Sequence, residues 1–158
     1  MRIWRISNYA DLSGIGGAYS ASRWNHLGRR IVYCAEHPAL AMLEMLVHFD
    51  LEDLPQTYQL LEIDVPDGLV AEPVDLPSTW RDDLTLSREA FEAFCIRGVT
   101  PVLHVPSIIM PHCRNMLINP LHADHAKLSI VSVETHPLDP RFLTYREDPR
   151  KYPVLFQR

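Results

Sequence analysis

The sequence predicts an α+β fold, one compact domain over residues 1–158 built around a mixed sheet. Three observations point there. Strand-like runs outnumber helical ones, the two kinds do not alternate regularly, and no glycine-rich turn links a strand to a helix as a doubly wound sheet requires. A chain of this length suits a single domain that buries roughly 68–70% of its unfolded surface. Its 47% hydrophobic and 22% charged residues are an ordinary globular balance.

The elements follow in order. "RIWRI" (2–6) reads as a strand with Ile3 and Arg5 on one face and Trp4 on the other. "SNYADLSGIGGAYSAS" (7–22) reads as a long loop, a kind that is often functional. "RIVYC" (30–34) is a strand, and "HPALAMLEMLVHF" predicts a helix over Ala39–Phe49, with Pro38 suited to its first turn. "TYQLLEIDVP" (57–66) alternates as a strand, and 67–85 reads as connection. "LSREAFEAFCIRG" is a helix with Ser87 as its cap and Gly98 as its stop. "TPVLHVPS" (100–107), "NMLINP" (115–120) and "AKLSIVSVE" (126–134) are extended, and the tail carries Pro140, Pro149 and Pro153.

Charge and composition exclude several classes. A net charge of −5 with scattered Lys and Arg argues against direct nucleic-acid binding, which needs clustered positive charge. Three cysteines without a CxxC spacing point to a reducing cytoplasm rather than a disulfide framework. The opening residues lack the apolar core of a signal peptide, and no apolar run approaches the length of a membrane span.

The helix poses a chemical question. Leu40, Leu43, Leu46 and Val47 recur at core spacing, and Met42 and Met45 are apolar too, yet Glu44 stands among them beside Ala41 and His48. An unpaired buried charge costs several kcal/mol, so this carboxylate needs a partner or a cavity. Upstream, Arg23 offers a planar fork suited to a pyrophosphate or carboxylate. Trp24 reads as core, Asn25 as a brace for the turn at Gly28, and Tyr33 as a ring able to stack on a flat ligand or to pack in a strand. Ser107 follows a strand and a proline, without the signature of an activated nucleophile. His104, His112, Cys113, His122 and His125 match no zinc spacing, and no metal is expected.

Taken together, "IWRIS", "SRWNHLGRRIVYCAEHPALAMLEMLVHF", "YQLLEIDVPD", "VLHVPSIIMPHCRNMLINPLHAD" and "LDPRF" resemble the RES domain family. The combination R-W-N-x2-G-x4-Y, L-A-x2-E-x2-V-H, V-P-S and N-x3-N-P carries the resemblance. Ala21-Ser22, Phe94 and "HADH" depart from the usual family residues. The resemblance implies a fold akin to ADP-ribosyltransferase toxins, with NAD as substrate and no permanently bound cofactor. It implies a toxin paired with an Xre-type helix-turn-helix antitoxin, acting in the cytoplasm.

Carried over by position, the resemblance makes Arg23, Glu44 and Ser107 the three name-giving residues and Tyr33 the site tyrosine, with Arg5 and Asn119 as further pocket candidates. In the reaction it implies, Glu44 stabilises the ribose cation as the nicotinamide bond breaks, and Arg23 binds the pyrophosphate or an adjacent group on the carboxamide side. The acceptor is water, phosphate or a protein side chain. The rival expectation is a non-catalytic binding module in which Arg23 and Glu44 form a structural ion pair. Homodimers, or a complex in which an antitoxin tail blocks the pocket, are both compatible with the sequence.

Overall fold

The computed structural model describes residues 1–50, 53–69 and 72–144. Pro149 and Pro153 therefore lie outside the described residues. Seven strands are present there: Arg2–Ile6 (β1), Val32–Ala35 (β2), Thr57–Asp64 (β3), Glu72–Pro73 (β4), Val102–Pro106 (β5), Arg114–Ile118 (β6) and Ser129–Pro137 (β7). They form one sheet in the order β4-β5-β6-β2-β1-β3-β7. The β4–β5 pair is parallel and the others are antiparallel, so the sheet is mixed, as expected.

Side-chain alternation along each strand gives the sheet two different faces. Ile3, Val32, Cys34, Ile63, Met116 and Ile118 build one core, closed by Leu12, Leu69 and Leu128 from the connections. On the other face, the helix Leu84–Arg97 lays Phe91 and Phe94 against Leu103, Val105 and Leu117, beside Trp24 and Trp80. The helix Pro38–Leu46 sets Leu40 and Ala41 on Ala35, with Trp4 and Ile6 half-buried at its margin. These two helices cover different parts of one face, and Trp4, Tyr33, Ala35 and Asn115 line the cavity there.

Several boundaries differ from the sequence expectation. The loop 7–22 contains a short helix, Ile15–Tyr19 (α1). Gly14 precedes it at φ 64, and a Cβ there would meet the Ile31 backbone nitrogen at 2.8 Å, so the turn packs directly on the run into β2. The second helix (α2) stops at Leu46 rather than Phe49, and only Leu40 and Ala41 of it are buried. Its apolar far end is half-buried and gives way to Val47, 56% exposed, because the cavity opens there instead of a packed core. The third helix (α3) is capped by Asp83, whose carboxylate accepts the Thr85 N–H at 2.8 Å, and not by Ser87. Ser87 lies inside the helix and is fully buried, so its hydroxyl has no helix end to cap. Gly98 ends α3 at φ 58, as read from the sequence. The stretch 67–85 carries β4 and a 3-10 turn at Ser78–Arg81, and a fourth short helix (α4) spans Arg141–Thr144.

Burial pushes the Cys34 thiol up to about 12 and the Cys95 thiol up to about 11. An unfolded chain gives up such protons at about 8.5, so above that pH the folded chain binds more protons than the unfolded one. Stability is therefore fully present below about pH 8 and falls as pH rises toward 11. Urea midpoints measured from pH 7 to 10 should decline, and Cys95→Ala should flatten the decline. A midpoint constant over that range would contradict the thiol burial.

Candidate active site

The cavity measures about 410 Å³, within the usual range for a small-molecule site. Its wall on α2 is Ala41, Glu44 and Met45, continued by Val47, His48 and Phe49 just past the end of the helix. Arg5 and Tyr33 from the sheet and Arg23 from the preceding loop complete its polar lining, with Asn115 opposite Ala35 in the β2–β6 register.

Glu44 is held through one oxygen. Its Oε1 accepts the Ser107 hydroxyl at 3.1 Å and the Asn115 Nδ2–H at 2.5 Å. Among the described residues no protein donor reaches Oε2. Ser107 is itself fixed: its Oγ accepts the N–H groups of Ile109 and Met110, both at 3.1 Å, and it is 1% exposed. With both lone pairs taken, its proton points to Glu44. That arrangement makes Ser107 a donor to the carboxylate, not an activated nucleophile, which would need a base to take its proton.

Arg23 reaches the cavity from the loop before β2. Its Nη1 donates to the carbonyls of Trp80 at 3.4 Å and Arg81 at 3.3 Å, and its guanidinium lies 5.6 Å from the Trp80 ring centre. Arg81 stands 5.1 Å from the same ring and donates to the Ile108 carbonyl, tying this corner to the Ser107 loop. One step behind, Asn25 is 1% exposed and donates Nδ2–H to the carbonyls of Gly17 and Ser20 at 2.8 and 2.9 Å. The Tyr33 hydroxyl donates to Asn25 Oδ1 at 2.8 Å and accepts the Trp24 N–H at 3.2 Å. Burial pushes the Tyr33 phenol up to about 12, so it stays a neutral donor. This network locks the Trp24-Asn25 corner and hence the exit of Arg23.

Arg5 lines the cavity while its Nη1 donates to the Asp11 carbonyl at 2.7 Å, fastening the loop 7–14 to β1. Asn119 is elsewhere. It is 5% exposed, its Oδ1 accepts the Leu121 N–H at 3.1 Å, and its own N–H donates to Pro101, so it shapes the turn after β6. The structure thus gathers Glu44, Ser107, Arg23, Tyr33 and Arg5 and leaves Asn119 apart. Arg23 and Glu44 share the cavity without an ion pair, each bonded to other groups, which removes the structural-pair expectation. His122 and His125 bond the carbonyls of Gly98 and Leu12, and no group of three or more His, Cys, Asp or Glu is gathered for a metal among the described residues. Asn115 and Trp80 were not singled out from sequence. The β2–β6 register, which no local pattern encodes, is what brings Asn115 to the cavity.

Comparison with known proteins settles the family. A match to the RES domain covers residues 2–141. The chain belongs to the RES domain family. Among similar RES proteins, "Toxin Res" of Pseudomonas putida is 43% identical over 135 residues, covering 82% of this chain and 93% of that protein. "Prs ADP-ribosylating toxin" of Sphingobium sp. is 38% identical over 153 residues, covering 89% and 95%. "Toxin Res" of Yersinia enterocolitica is 33% identical over 138 residues, covering 82% and 88%. A chain in the crystal structure of the M. tuberculosis MbcT-MbcA toxin-antitoxin complex superposes with a TM-score of 0.64 at 18% identity, over 91% of this chain and 87% of that one. At that identity the superposition speaks for the RES fold, the α+β architecture expected from sequence.

Proposed function

We propose that this RES chain is an NAD-consuming toxin that cleaves the bond between nicotinamide and ribose. The observation that carries it is Glu44, a carboxylate anchored through Oε1 by Ser107 and Asn115 on the wall of a cavity that also presents Arg23 and Arg5. When the glycosidic bond breaks, its electron pair leaves with the nicotinamide ring nitrogen and the ribose carbon becomes cationic, as in sugar hydrolysis. A preorganised carboxylate beside that carbon lowers the barrier, with Oε2 available to the ribose. Nicotinamide leaves as a neutral base, so the step needs no general acid. The Tyr33 ring lines the same cavity and suits stacking on the nicotinamide or adenine ring.

Arg23 has guanidinium N–H groups beyond the Nη1 contacts, which suit the pyrophosphate. Arg23→Ala should weaken NAD binding by roughly tenfold or more, the scale of one or two hydrogen bonds to a charged group. Calorimetry in a Glu44→Gln background, where NAD is not consumed, measures this directly; unchanged affinity would remove the anion role.

Water as acceptor gives a glycohydrolase and phosphate gives a phosphorolase. The Sphingobium relative is, by its name, an ADP-ribosylating toxin, and this favours a second reading in which a protein side chain accepts. Mass analysis of products from NAD alone, with phosphate, and with cell lysate separates the three. We also propose an Xre-type antitoxin as partner, seated on the apolar mouth where Val47 and Phe49 are 56% and 45% exposed. Growth arrest on expression of the chain alone, relieved by co-expression of an Xre-type antitoxin, is the expected result; unaffected growth favours a passive binding module.

A further inference from the structure

The mechanism above uses one oxygen of Glu44 and leaves open what decides which oxygen that is. We infer that Asn115 is the positioning residue of this site: its amide aims the Glu44 carboxylate by binding Oε1, so that Oε2 alone is presented to the nicotinamide ribose. The inference rests on the NAD reading for its kinetic consequences, but the contact itself is independent of any substrate.

Three observations converge on it. The Asn115 contact to Oε1, at 2.5 Å, is the shorter of the two that hold Glu44. Ser107 and Asn115 come from different segments, one from the loop after β5 and the other from β6, yet both reach the same oxygen. Two donors on one oxygen fix the rotation of a carboxylate, which a single hydroxyl does not. The other polar atom of the amide, Oδ1, is buried and accepts nothing from the protein. A buried acceptor left without a donor costs about 1–3 kcal/mol. No second protein partner therefore holds the amide, and its orientation is set by Glu44. A carboxamide whose one protein bond runs to the reacting carboxylate is placed for that carboxylate, not for the fold.

Isosteric replacement gives the sharpest test. Asn115→Asp keeps the shape but removes both N–H donors, and sets a second carboxyl against Glu44. Two carboxyls at that distance share one proton. While the shared proton is present, the introduced carboxyl donates to Glu44 as the amide did; once it is lost, two negative oxygens repel and the carboxylate turns. The other charged or titratable groups lining this cavity are Arg5, Arg23, Tyr33, Cys34 and His48, with Arg114 next to Asn115 on its own strand, and all of them are retained in the variant. Normalising to wild type at each pH therefore removes their titration.

Asn115→Ala should lower kcat for NAD by roughly 10- to 100-fold, the scale for removing a group that orients a functional ligand, with KM changed less than about threefold. Asn115→Asp, normalised to wild type, should be most active near pH 5.5 and lose activity steadily as pH rises to 8. A purely space-filling Asn115 would leave Asn115→Asp near wild type at every pH, or impair it equally at every pH, and either result overturns the inference. Melting temperatures of both variants show whether a loss follows unfolding. The second arm is the side-chain amide proton resonances of Asn115 in the substrate-free protein. They should lie downfield and return to ordinary positions in Glu44→Ala, which removes the acceptor; resonances that ignore Glu44→Ala overturn the inference even where NAD turnover changes. Should the wild-type protein consume no NAD, the functional reading fails, while this arm still decides the role of Asn115.

Discussion

Glu44→Gln should leave the protein folded and lower NAD consumption by roughly two to three orders of magnitude, the scale of losing one preorganised electrostatic partner. The substitution keeps the size of the side chain, and its amide oxygen still accepts from Ser107 and Asn115. What disappears is the negative charge facing the ribose. A change that blocks the chemistry without disturbing the wall should leave NAD affinity within a few-fold and the melting temperature within a few degrees. Purified Glu44→Gln with near-wild-type turnover would end the assignment. Glu44 is itself only half-buried, so a neutral amide of the same size fits its place.

Asn25→Asp should be the most damaging conservative change to the fold around the site. The side chain is 1% exposed, and its Nδ2 donates to the carbonyls of Gly17, Ser20 and His26. A carboxylate in that place turns a donor into a charged acceptor facing three acceptors. A buried charge without compensation costs about 3–5 kcal/mol, enough to lower the melting temperature of a chain this size by roughly 10 °C. The Tyr33 hydroxyl loses nothing directly, since it donates to Oδ1, which both residues possess. A melting temperature within two degrees of wild type would show that the loop 17–26 does not rely on Asn25. Loss of NAD affinity beyond the stability change is also expected, because the same network sets where Arg23 leaves the loop.

The sheet was largely legible from local pattern. Alternation in 57–66 groups Leu61, Ile63 and Val65 on one face, and in the structure all three are fully buried. Gly98 as a helix stop follows from the left-handed backbone it adopts. The Asp83 cap was missed because both Asp83 and Ser87 precede apolar residues at acceptable spacing, and only packing shows that Ser87 faces inward. The burial of α2 was overread for a related reason. Apolar residues at its far end look like core in sequence, whereas in the fold they form the mouth of a cavity. At the site, Glu44 announced itself as a charge out of place, and Arg23 and Ser107 were reached through the motif resemblance. Asn115 stands in the N-x3-N-P motif but carries no charge to mark it, and its role depends on β6 lying beside β2 and across from α2. Asn119, in the same N-x3-N-P motif, had an equal claim in sequence, but the chain turns after Ile118 and takes it away from the cavity.

The most direct measurement is the identity of the first products when the purified chain meets NAD. Chromatography with mass detection should show nicotinamide released one for one with NAD lost, and ADP-ribose or an ADP-ribosyl adduct carrying the rest. Intact NAD, or cleavage at the pyrophosphate into two mononucleotides, would contradict a carboxylate set to meet the ribose cation.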